Sequence, residues 1–275
     1  MPAHIVMPEI SAPNKIAATR GYGGNVVFSG STAAEREAVA ARVVAATGAR
    51  LVPPYDHPDI ILGQGTMGLE LQEQVAHMKA TAANASSGPT ISPCTFHAGA
   101  DPPPAAPAPA PARPPLDAIL TPCGGGGMLA GVALAAEGTG TAVFGAEPWF
   151  EGADDAARGF AAGARVAAVA SRTIADGLRT PLGRHNWAVV YERRLVRDVY
   201  AVGEDDIRAA MRLVLERAKM VVEPSAAVPL AVALFNEDFR ALVEREGGAA
   251  GWDLGIVLSG GNVSVETIGK LFAAA

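Results

Sequence analysis

The sequence predicts an α/β protein built on a parallel sheet, and three observations support that prediction. Short apolar runs alternate with amphipathic stretches of helical spacing through most of the 275 residues. Two of the apolar runs end in glycine-rich turns, which are typical of strand ends in such proteins. Hydrophobic residues make up 49% of the chain and charged residues 18%, which provides enough apolar surface for a large buried core.

The first part of the chain begins this alternation. Its apolar runs predict strands at residues 4–7 and 25–28. Between residues 31 and 47, alanine, valine and arginine recur at helical spacing, and Ser31 or Thr32 stands where an N-cap is expected. Alternating strands and helices favour a parallel sheet, because parallel strands need a crossover connection between them.

Residues 77–115 have a different composition. An Ala-Ser-Ser-Gly-Pro stretch is followed by three consecutive prolines and then by Ala-Pro repeats as far as Pro115. Proline removes backbone donors and favours an extended backbone that water solvates. The segment is therefore interpreted as an irregular surface insertion that carries no chemistry.

The strand and helix alternation returns after the insertion. The predicted strands are 116–121, 142–146 and 254–258, and the predicted helices are 128–137, 205–219 and 225–235. No internal repeat interrupts this order. One large α/β domain therefore accounts for most of the second part of the chain.

Composition excludes several classes of protein. The net charge of −6 argues against nucleic acid as a partner, because phosphate contacts need clustered lysine and arginine. No apolar run reaches the roughly 18 residues that a membrane span needs. The first residues lack the segments of a signal peptide, and the two cysteines, Cys94 and Cys123, provide no disulfide framework. A cytoplasmic protein that binds no nucleic acid and no membrane is therefore predicted.

Four consecutive glycines, Gly124, Gly125, Gly126 and Gly127, precede Met128 between a predicted strand and a predicted helix. Without side chains, such a loop can bring its N–H groups close to an anion, and the dipole of the following helix adds attraction. This placement favours a phosphate site. A low-complexity glycine run is the alternative, since the whole chain is rich in glycine and alanine.

A second motif, Leu-Ser-Gly-Gly-Asn at residues 258–262, follows the last predicted strand. Ser259 stands at the carboxyl end of that strand, where open α/β sheets bind ligands. Its hydroxyl is able to form a hydrogen bond with a ring atom of a cofactor. An ordinary turn is the alternative, because serine, glycine and asparagine form turns in any protein.

In this order, and about 135 residues apart, the two motifs resemble those of the fold-type II pyridoxal-phosphate enzymes, particularly the serine racemases and the threonine/serine dehydratases. The fold of this family is tryptophan synthase β-like. Five further segments resemble it: 12–15, 18–23, 63–66, 173–177 and 223–226. The resemblance covers nearly everything except the insertion. It implies an α/β fold with residues 1–55 as a partial small domain and 56–275 as the large cofactor-binding domain, interrupted by residues 77–115.

The resemblance also implies roles for individual residues. The glycine loop and Met128 would hold the phosphate of pyridoxal 5′-phosphate, and Ser259 would face its pyridine nitrogen. Tyr55 matches the position of an aromatic residue or asparagine beside the cofactor, with core packing as the alternative. Gly177 and Glu223 lie in segments that resemble the family's large-domain motifs and are assigned to the same cofactor site.

A divalent metal site is implied in the same way. In the serine racemases, Mg²⁺ or Ca²⁺ is bound by a glutamate just after a strand, a backbone carbonyl and an aspartate a few residues on. Glu147, the carbonyl of Ala153 and Asp155 match these positions, with two extra residues between the glutamate and the aspartate. Oxygen ligands of this kind suit a hard cation. An acidic, solvated loop is the alternative.

The implied reaction is racemisation of serine, β-elimination from serine or threonine (an ammonia-lyase, or dehydratase, reaction), or both. Each begins with removal of the Cα proton, so motifs that bind the cofactor do not separate them. The implied partners are a small amino-acid substrate, such as serine or threonine, and a second copy of the chain in a homodimer. Tyr22 and Lys219 match positions that hold an activating nucleotide effector in the animal serine racemases.

One part of the family pattern is missing. The family's Schiff-base lysine lies in a Ser-x-Lys-x-Arg-Gly stretch that a Ser-Ser-Gly-Asn-His loop follows, and neither occurs in this sequence. The chain begins in what resembles a small-domain strand, so an N-terminally truncated member of the family is predicted, inactive as given. A non-catalytic remnant that binds a phosphate ligand or a partner is the alternative. A Rossmann dinucleotide site is disfavoured, because the glycines are contiguous and no acidic residue ends the next strand.

Overall fold

The computed structural model of the chain describes residues 2–85 and 114–273, which form two compact units. Within these residues, the smaller unit comprises 2–54, 211–223 and 260–273, and the larger comprises 55–85, 114–210 and 224–259. The sequence-based division after residue 55 therefore falls one residue from the first boundary. Residues 211–223 and 260–273 group with the smaller unit, whereas the sequence-based division is contiguous and places them with the large domain.

The smaller unit is built around two parallel strands, β1 (His4–Pro8) and β2 (Asn25–Ser29), joined by helix α1 (Pro13–Gly21). Helix α2 (Ala33–Thr47) follows, and Thr32 is its N-cap. The Thr32 side chain accepts a hydrogen bond from the backbone N–H of Glu35, and the Glu35 carboxylate accepts one from the Thr32 N–H. The two predicted strands and the predicted helix are confirmed, with Thr32 and not Ser31 as the cap. Helix α10, Val265–Phe272, completes the secondary structure of this unit near the C-terminus.

The larger unit contains a four-stranded parallel sheet. Its strands are β3 (Ala118–Pro122), β4 (Ala142–Pro148), β5 (Asp198–Val202) and β6 (Leu254–Ile256), in the spatial order β5-β4-β3-β6. Every residue of β3 is buried, as expected of an inner strand of a parallel sheet. The predicted α/β fold with parallel strands is confirmed, and the carboxyl ends of all four strands lie at one edge of the sheet.

Helices cover this sheet. They are α3 (Pro58–Ala85), α4 (Gly127–Ala136), α5 (Asp155–Ala162), α6 (Arg184–Trp187), α7 (Glu204–Leu213, in which the unit boundary falls), α8 (Pro224–Phe235) and α9 (Glu237–Gly247). Helix α4 packs on the side of the sheet that carries Ile119 and Val143. On the other side, Phe144 meets Phe239 of α9 edge to face. No helix of the described residues is long and apolar enough to span a membrane.

Helix α3 corrects one prediction. The insertion was expected to begin at residue 77, but α3 continues to Ala85, and Lys79 within it forms an ion pair with Asp253 just before β6. The helix persists because its earlier turns pack closely on α4, where Gly65 and Gly131 meet. The remainder of the predicted insertion up to residue 113 lies outside the described residues.

Candidate functional site

The glycine loop, residues 124–127, leaves the carboxyl end of β3 and enters α4. Gly126 is the N-cap of α4 and has a φ of +85°, in the left-handed region that glycine occupies without strain. Gly125 is half-buried and the other three glycines are buried. The loop therefore presents backbone, and no side chain, at the N-terminus of a helix.

The N–H groups of this loop have no protein partner within the described part of the chain. Across residues 2–85 and 114–273, no oxygen accepts a hydrogen bond from the backbone N–H of any residue from Gly124 to Met128. Buried N–H groups are rarely left without an acceptor. The loop thus suits an acceptor from outside the protein, and the positive end of the helix dipole favours an anion.

Tyr55 lies directly against this loop. A Cβ added to Gly125 would lie 2.4 Å from the Tyr55 ring, and one added to Gly127 would lie 2.9 Å from the Tyr55 carbonyl oxygen. Side chains at these two positions would therefore displace the tyrosine. Both of the predicted roles of Tyr55, packing and closeness to the cofactor site, are compatible with this position.

Gly177 is also brought to the loop. A Cβ on Gly124 would lie 3.1 Å from the Gly177 carbonyl oxygen and 3.0 Å from the Cα of Leu178. The Gly177 N–H donates a hydrogen bond to the buried Ser225 hydroxyl at 3.0 Å, which fixes the segment against α8. Gly177 therefore closes one side of the loop with backbone atoms.

The remaining predicted residues lie at the sheet edge and in the smaller unit. Ser259 is exposed and follows β6, which pairs in parallel with β3, so it emerges at the same edge of the sheet as the glycine loop. Glu223 belongs to the smaller unit, where its carboxylate pairs with Lys15 at 3.4 Å and its N–H donates to the Gly260 carbonyl.

A buried acidic cluster, formed by Glu147 and Asp155, lies at the carboxyl end of β4. The Glu147 side chain has no solvent exposure, and its two oxygens accept hydrogen bonds from the N–H groups of Ala156 and Ala157 at 3.2 and 3.0 Å. These N–H groups belong to the second and third residues of α5, so Glu147 caps that helix. Ala153, whose carbonyl was expected to bind metal, is fully buried in the loop before α5.

Asp155, the first residue of α5, is only 1% exposed. Its Oδ2 accepts a hydrogen bond from the Leu182 N–H at 2.9 Å. Its Oδ1 is buried and has no hydrogen-bond partner among the described residues. A desolvated carboxylate oxygen without a donor is unfavourable, and a cation would relieve that cost.

Burial controls the protonation of this cluster. Burial raises the pKa of the Glu147 carboxyl well above its usual value, and the neighbouring charge of Asp155 raises it further. Burial likewise raises the pKa of Asp155 to about 6, although the Leu182 hydrogen bond opposes the change. The pKa of the buried Cys123 thiol is raised by burial and then by both carboxylates, so this cysteine stays a neutral thiol.

We expect the stability of the metal-free protein to fall as pH rises. Because the folded-state pKa of Asp155 lies above its unfolded value, the folded state binds more protons, and stability decreases between about pH 4 and pH 7. The loss attributable to this residue is about 3 kcal/mol. Thermal melts with a chelator should show the decline, and Asp155→Asn should make it smaller, leaving the part that comes from the raised pKa of Glu147. A wild-type profile that matches the variant's would contradict the assignment.

Sequence reasoning missed the residues that hold the glycine loop in place from the side of α6. The Gly125 carbonyl accepts hydrogen bonds from the Gly183 N–H at 3.0 Å and from Asn186 Nδ2 at 2.5 Å. The carboxylate of Asp56 accepts from the first N–H groups of α6. Asn186 follows two other polar residues, Arg184 and His185, and its partner lies 61 positions away in the sequence, so no local pattern indicates the contact.

These features define an α/β protein with a glycine loop at the carboxyl edge of a parallel sheet, whose N–H groups have no acceptor among the described residues. Residues 1–103 and 109–249 match the family model described as "Pyridoxal-phosphate dependent enzyme". The chain belongs to this family of pyridoxal-phosphate dependent enzymes, as the sequence motifs predicted.

Three proteins that are similar to this chain have different named activities. L-threo-3-hydroxyaspartate ammonia-lyase of Saccharomyces cerevisiae is 34% identical over 99% of this chain and 69% of its own length. Serine racemase of Oryza sativa subsp. indica is 36% identical over 96% of this chain and 65% of its own. A threonine deaminase from T.th., known from its crystal structure, is 38% identical, with a TM-score of 0.70 over 96% of this chain and 71% of that one. The chain thus spans about two thirds of the length of these relatives.

Proposed function

We propose that this chain is the cofactor-binding part of a pyridoxal-phosphate dependent enzyme that racemises serine, eliminates ammonia from serine or threonine, or does both. The observation that carries the proposal is the buried glycine loop, whose N–H groups no oxygen of the described residues satisfies. The similar ammonia-lyase, serine racemase and threonine deaminase support the substrate class, a small hydroxy or acidic amino acid. They do not separate the two reactions.

The residues present fit the cofactor. Pyridoxal phosphate, when bound, withdraws electrons from the Cα of an amino acid and so makes its proton acidic. The glycine loop and Met128 would bind the phosphate through backbone N–H groups. Tyr55 and Gly177 would enclose the site, and Ser259 would form a hydrogen bond with the ring nitrogen. The assignment of Glu223 to the cofactor site rests on its sequence motif and stays a prediction.

The test is the preference for pyridoxal 5′-phosphate over pyridoxal, which lacks the phosphate. Quenching of tryptophan fluorescence should show that the wild-type chain binds the phosphorylated form at least tenfold more tightly, because charge-assisted hydrogen bonds are worth about 1.5–3 kcal/mol each. Gly126→Ala should remove most of this preference, since its φ of +85° disfavours any side chain. Equal affinity of the wild type for both compounds would refute the proposal.

Gly138→Ala provides a matched control. Gly138 also has a positive φ, of +75°, and lies just after α4, at the other end of this helix. A Cβ there would meet no atom within 4 Å. The variant carries the same backbone strain, of about 1 kcal/mol, far from the loop along the helix axis. It should lose stability but keep the preference for the phosphorylated compound.

A divalent cation at Glu147, Ala153 and Asp155 is the second element of the proposal. The unpartnered Asp155 Oδ1 beside a buried glutamate, within the described part of the chain, supports it. Added Mg²⁺ or Ca²⁺ should raise the melting temperature by several degrees, because binding at 100 times Kd contributes about 2.7 kcal/mol. Asp155→Asn should abolish the shift, whereas Glu151→Gln, in the same loop but paired with Arg172, should preserve it. If neither cation changes the melting temperature of the wild type, the metal site is refuted and Glu147 serves only to cap α5.

Three other expectations stay predictions: a homodimer, a nucleotide effector and a cytoplasmic location. For the effector, Tyr22 is 92% exposed in the smaller unit. Lys219, in the same unit, has a left-handed backbone with a φ of +59°, and its ammonium donates to the Glu216 carbonyl.

A further inference from the structure

The peptide group between Gly125 and Gly126 is held from one side. Its carbonyl oxygen accepts two hydrogen bonds, one from the Gly183 N–H at 3.0 Å and one from Asn186 Nδ2 at 2.5 Å. Within the described ranges, no other carbonyl or N–H group of the glycine loop forms a hydrogen bond with residues 183–187. This carbonyl is therefore the point at which the glycine loop is fastened to the residues that begin α6.

Fastening the carbonyl orients the N–H on the other side of the peptide. The C=O and N–H of a trans peptide point in opposite directions, and the chain has no cis peptide among the described residues. Because the Gly125 carbonyl points to α6, the Gly126 N–H points away from α6. That N–H is one of the donors for which the described residues provide no acceptor.

The segment that provides this anchor, residues 182–186, is itself fixed by three side chains. Asp155 accepts from the Leu182 N–H at 2.9 Å, and Arg165 donates to the Leu182 carbonyl at 2.8 Å. Asp56 accepts from successive N–H groups at the start of α6, at 2.9 and 2.8 Å. Because these hydrogen bonds restrict the movement of residues 182–186, this segment holds the Gly125 carbonyl in a fixed position.

Asn186 contributes the side-chain part of the anchor. It has no solvent exposure, and its amide nitrogen also lies 3.4 Å from the Tyr55 carbonyl oxygen. Its Oδ1 is buried with no partner among the described residues, so the amide oxygen provides no compensating bond. Burying an amide of which half is unsatisfied is costly. An apolar residue would pack here at lower cost, so what the amide adds at this position is the hydrogen bond from its Nδ2 to the Gly125 carbonyl.

We propose that Asn186 is a positioning residue that holds the Gly125–Gly126 peptide with its N–H toward the cofactor phosphate. The inference rests on the proposed binding of pyridoxal phosphate and identifies what sets the geometry of that site. Asn186 acts through Gly125 and is not itself placed against the cofactor.

The test is again the ratio of affinities for pyridoxal 5′-phosphate and pyridoxal, measured on the full chain. Asn186→Leu keeps the size of the side chain and removes both hydrogen-bonding atoms. It should lower the affinity for the phosphorylated compound about tenfold and leave the affinity for pyridoxal unchanged. Asn186→Ala, which leaves space instead of an apolar contact, should show the same change in the ratio.

Asn236→Ala is the matched control. Asn236 Nδ2 donates to the Ala201 carbonyl at 3.0 Å, and Asn236 also caps α9 through its Oδ1. Its loss should lower the melting temperature at least as much as the Asn186 variants do, with the affinity ratio unchanged. A merely structural role for Asn186 would give the same pattern as this control.

The outcomes separate the inference from the function on which it rests. If the wild type shows no preference for the phosphorylated compound, the proposed function fails. If the wild type shows the preference and both Asn186 variants retain it, the positioning role is overturned and the proposed function stands. If the variants lose affinity for both compounds in proportion, the loss is one of folding, which also overturns the positioning role.

Discussion

Replacing Gly131 with alanine is expected to lower the free energy of unfolding of the larger unit by about 3 kcal/mol or more, the upper end of the usual cost of overpacking. Gly131 lies in α4 where this helix crosses α3. A Cβ there would lie 2.5 Å from the Ile61 carbonyl oxygen and 2.6 Å from the Gly65 nitrogen. Both are backbone atoms that cannot rotate away, so the helices would have to separate.

Denaturant unfolding followed by circular dichroism measures this effect. Gly63→Ala is the matched control. Gly63 lies in α3, the helix that Gly131 packs against, and a Cβ there meets no atom within 4 Å. This second change should stabilise the protein by about 0.5–1 kcal/mol, since alanine favours a helix interior. Equal stability of the two variants would show that α3 and α4 do not cross at Gly131.

The chain as given is expected to show no turnover of L-serine and no covalent attachment of the cofactor. The sequence contains four lysines, and none of them stands in the Ser-x-Lys-x-Arg-Gly setting described above. Lys79, in the larger unit, pairs with Asp253 just before β6, at the sheet edge opposite the glycine loop. The others belong to the smaller unit: Lys15 pairs with Glu223, Lys219 with the Glu216 carbonyl, and Lys270 with Glu266. Without a lysine in that sequence setting, we expect no group to form the covalent bond to the cofactor or to remove the Cα proton.

Borohydride reduction after mixing with pyridoxal phosphate, followed by mass spectrometry of peptides, tests for attachment. Serine racemase of Oryza sativa, treated in parallel, is the positive control for both the adduct and turnover. We expect the chain to bind the cofactor reversibly and to yield no reduced adduct. A stable adduct on Lys15 or Lys219, together with pyruvate or D-serine formed above background, would refute this prediction. Lys15→Arg and Lys219→Arg would then identify the residue responsible.

The local features of the fold were predictable because each is encoded by neighbouring residues. The strands at 118–122 and 142–148 are apolar runs, and Thr32 with the acidic residue three positions on is a capping box in sequence as well as in structure. The glycine loop was found because a strand before it and a helix after it are visible locally. Hydrogen bonds within such elements join residues that are close in sequence, so their pattern survives without knowledge of the fold.

Helix α3 shows where local evidence was insufficient. Gly63, Gly65 and Gly68 weaken its intrinsic helix propensity, and the sequence alone gave no clear helix there. Two of these glycines are needed by the partner helix. A Cβ on Gly65 would lie 2.9 Å from the Gly131 carbonyl, and one on Gly68 would lie 3.0 Å from the Cβ of Ala135. Residues that disfavour the isolated helix therefore permit the close packing that stabilises it.

The sequence by itself determined the fold class, the family and the loop that offers donors to an anion, because these depend on periodicity and on short motifs. Only the tertiary structure decided which residues hold the peptide groups of that loop and in which orientation. Asp56, Asn186 and Gly125 come from three distant stretches, and their hydrogen bonds form only after β3, α4 and α6 have packed. Side chains that act through long-range contacts leave no periodic signal, and their roles follow from which backbone groups they meet in the folded chain.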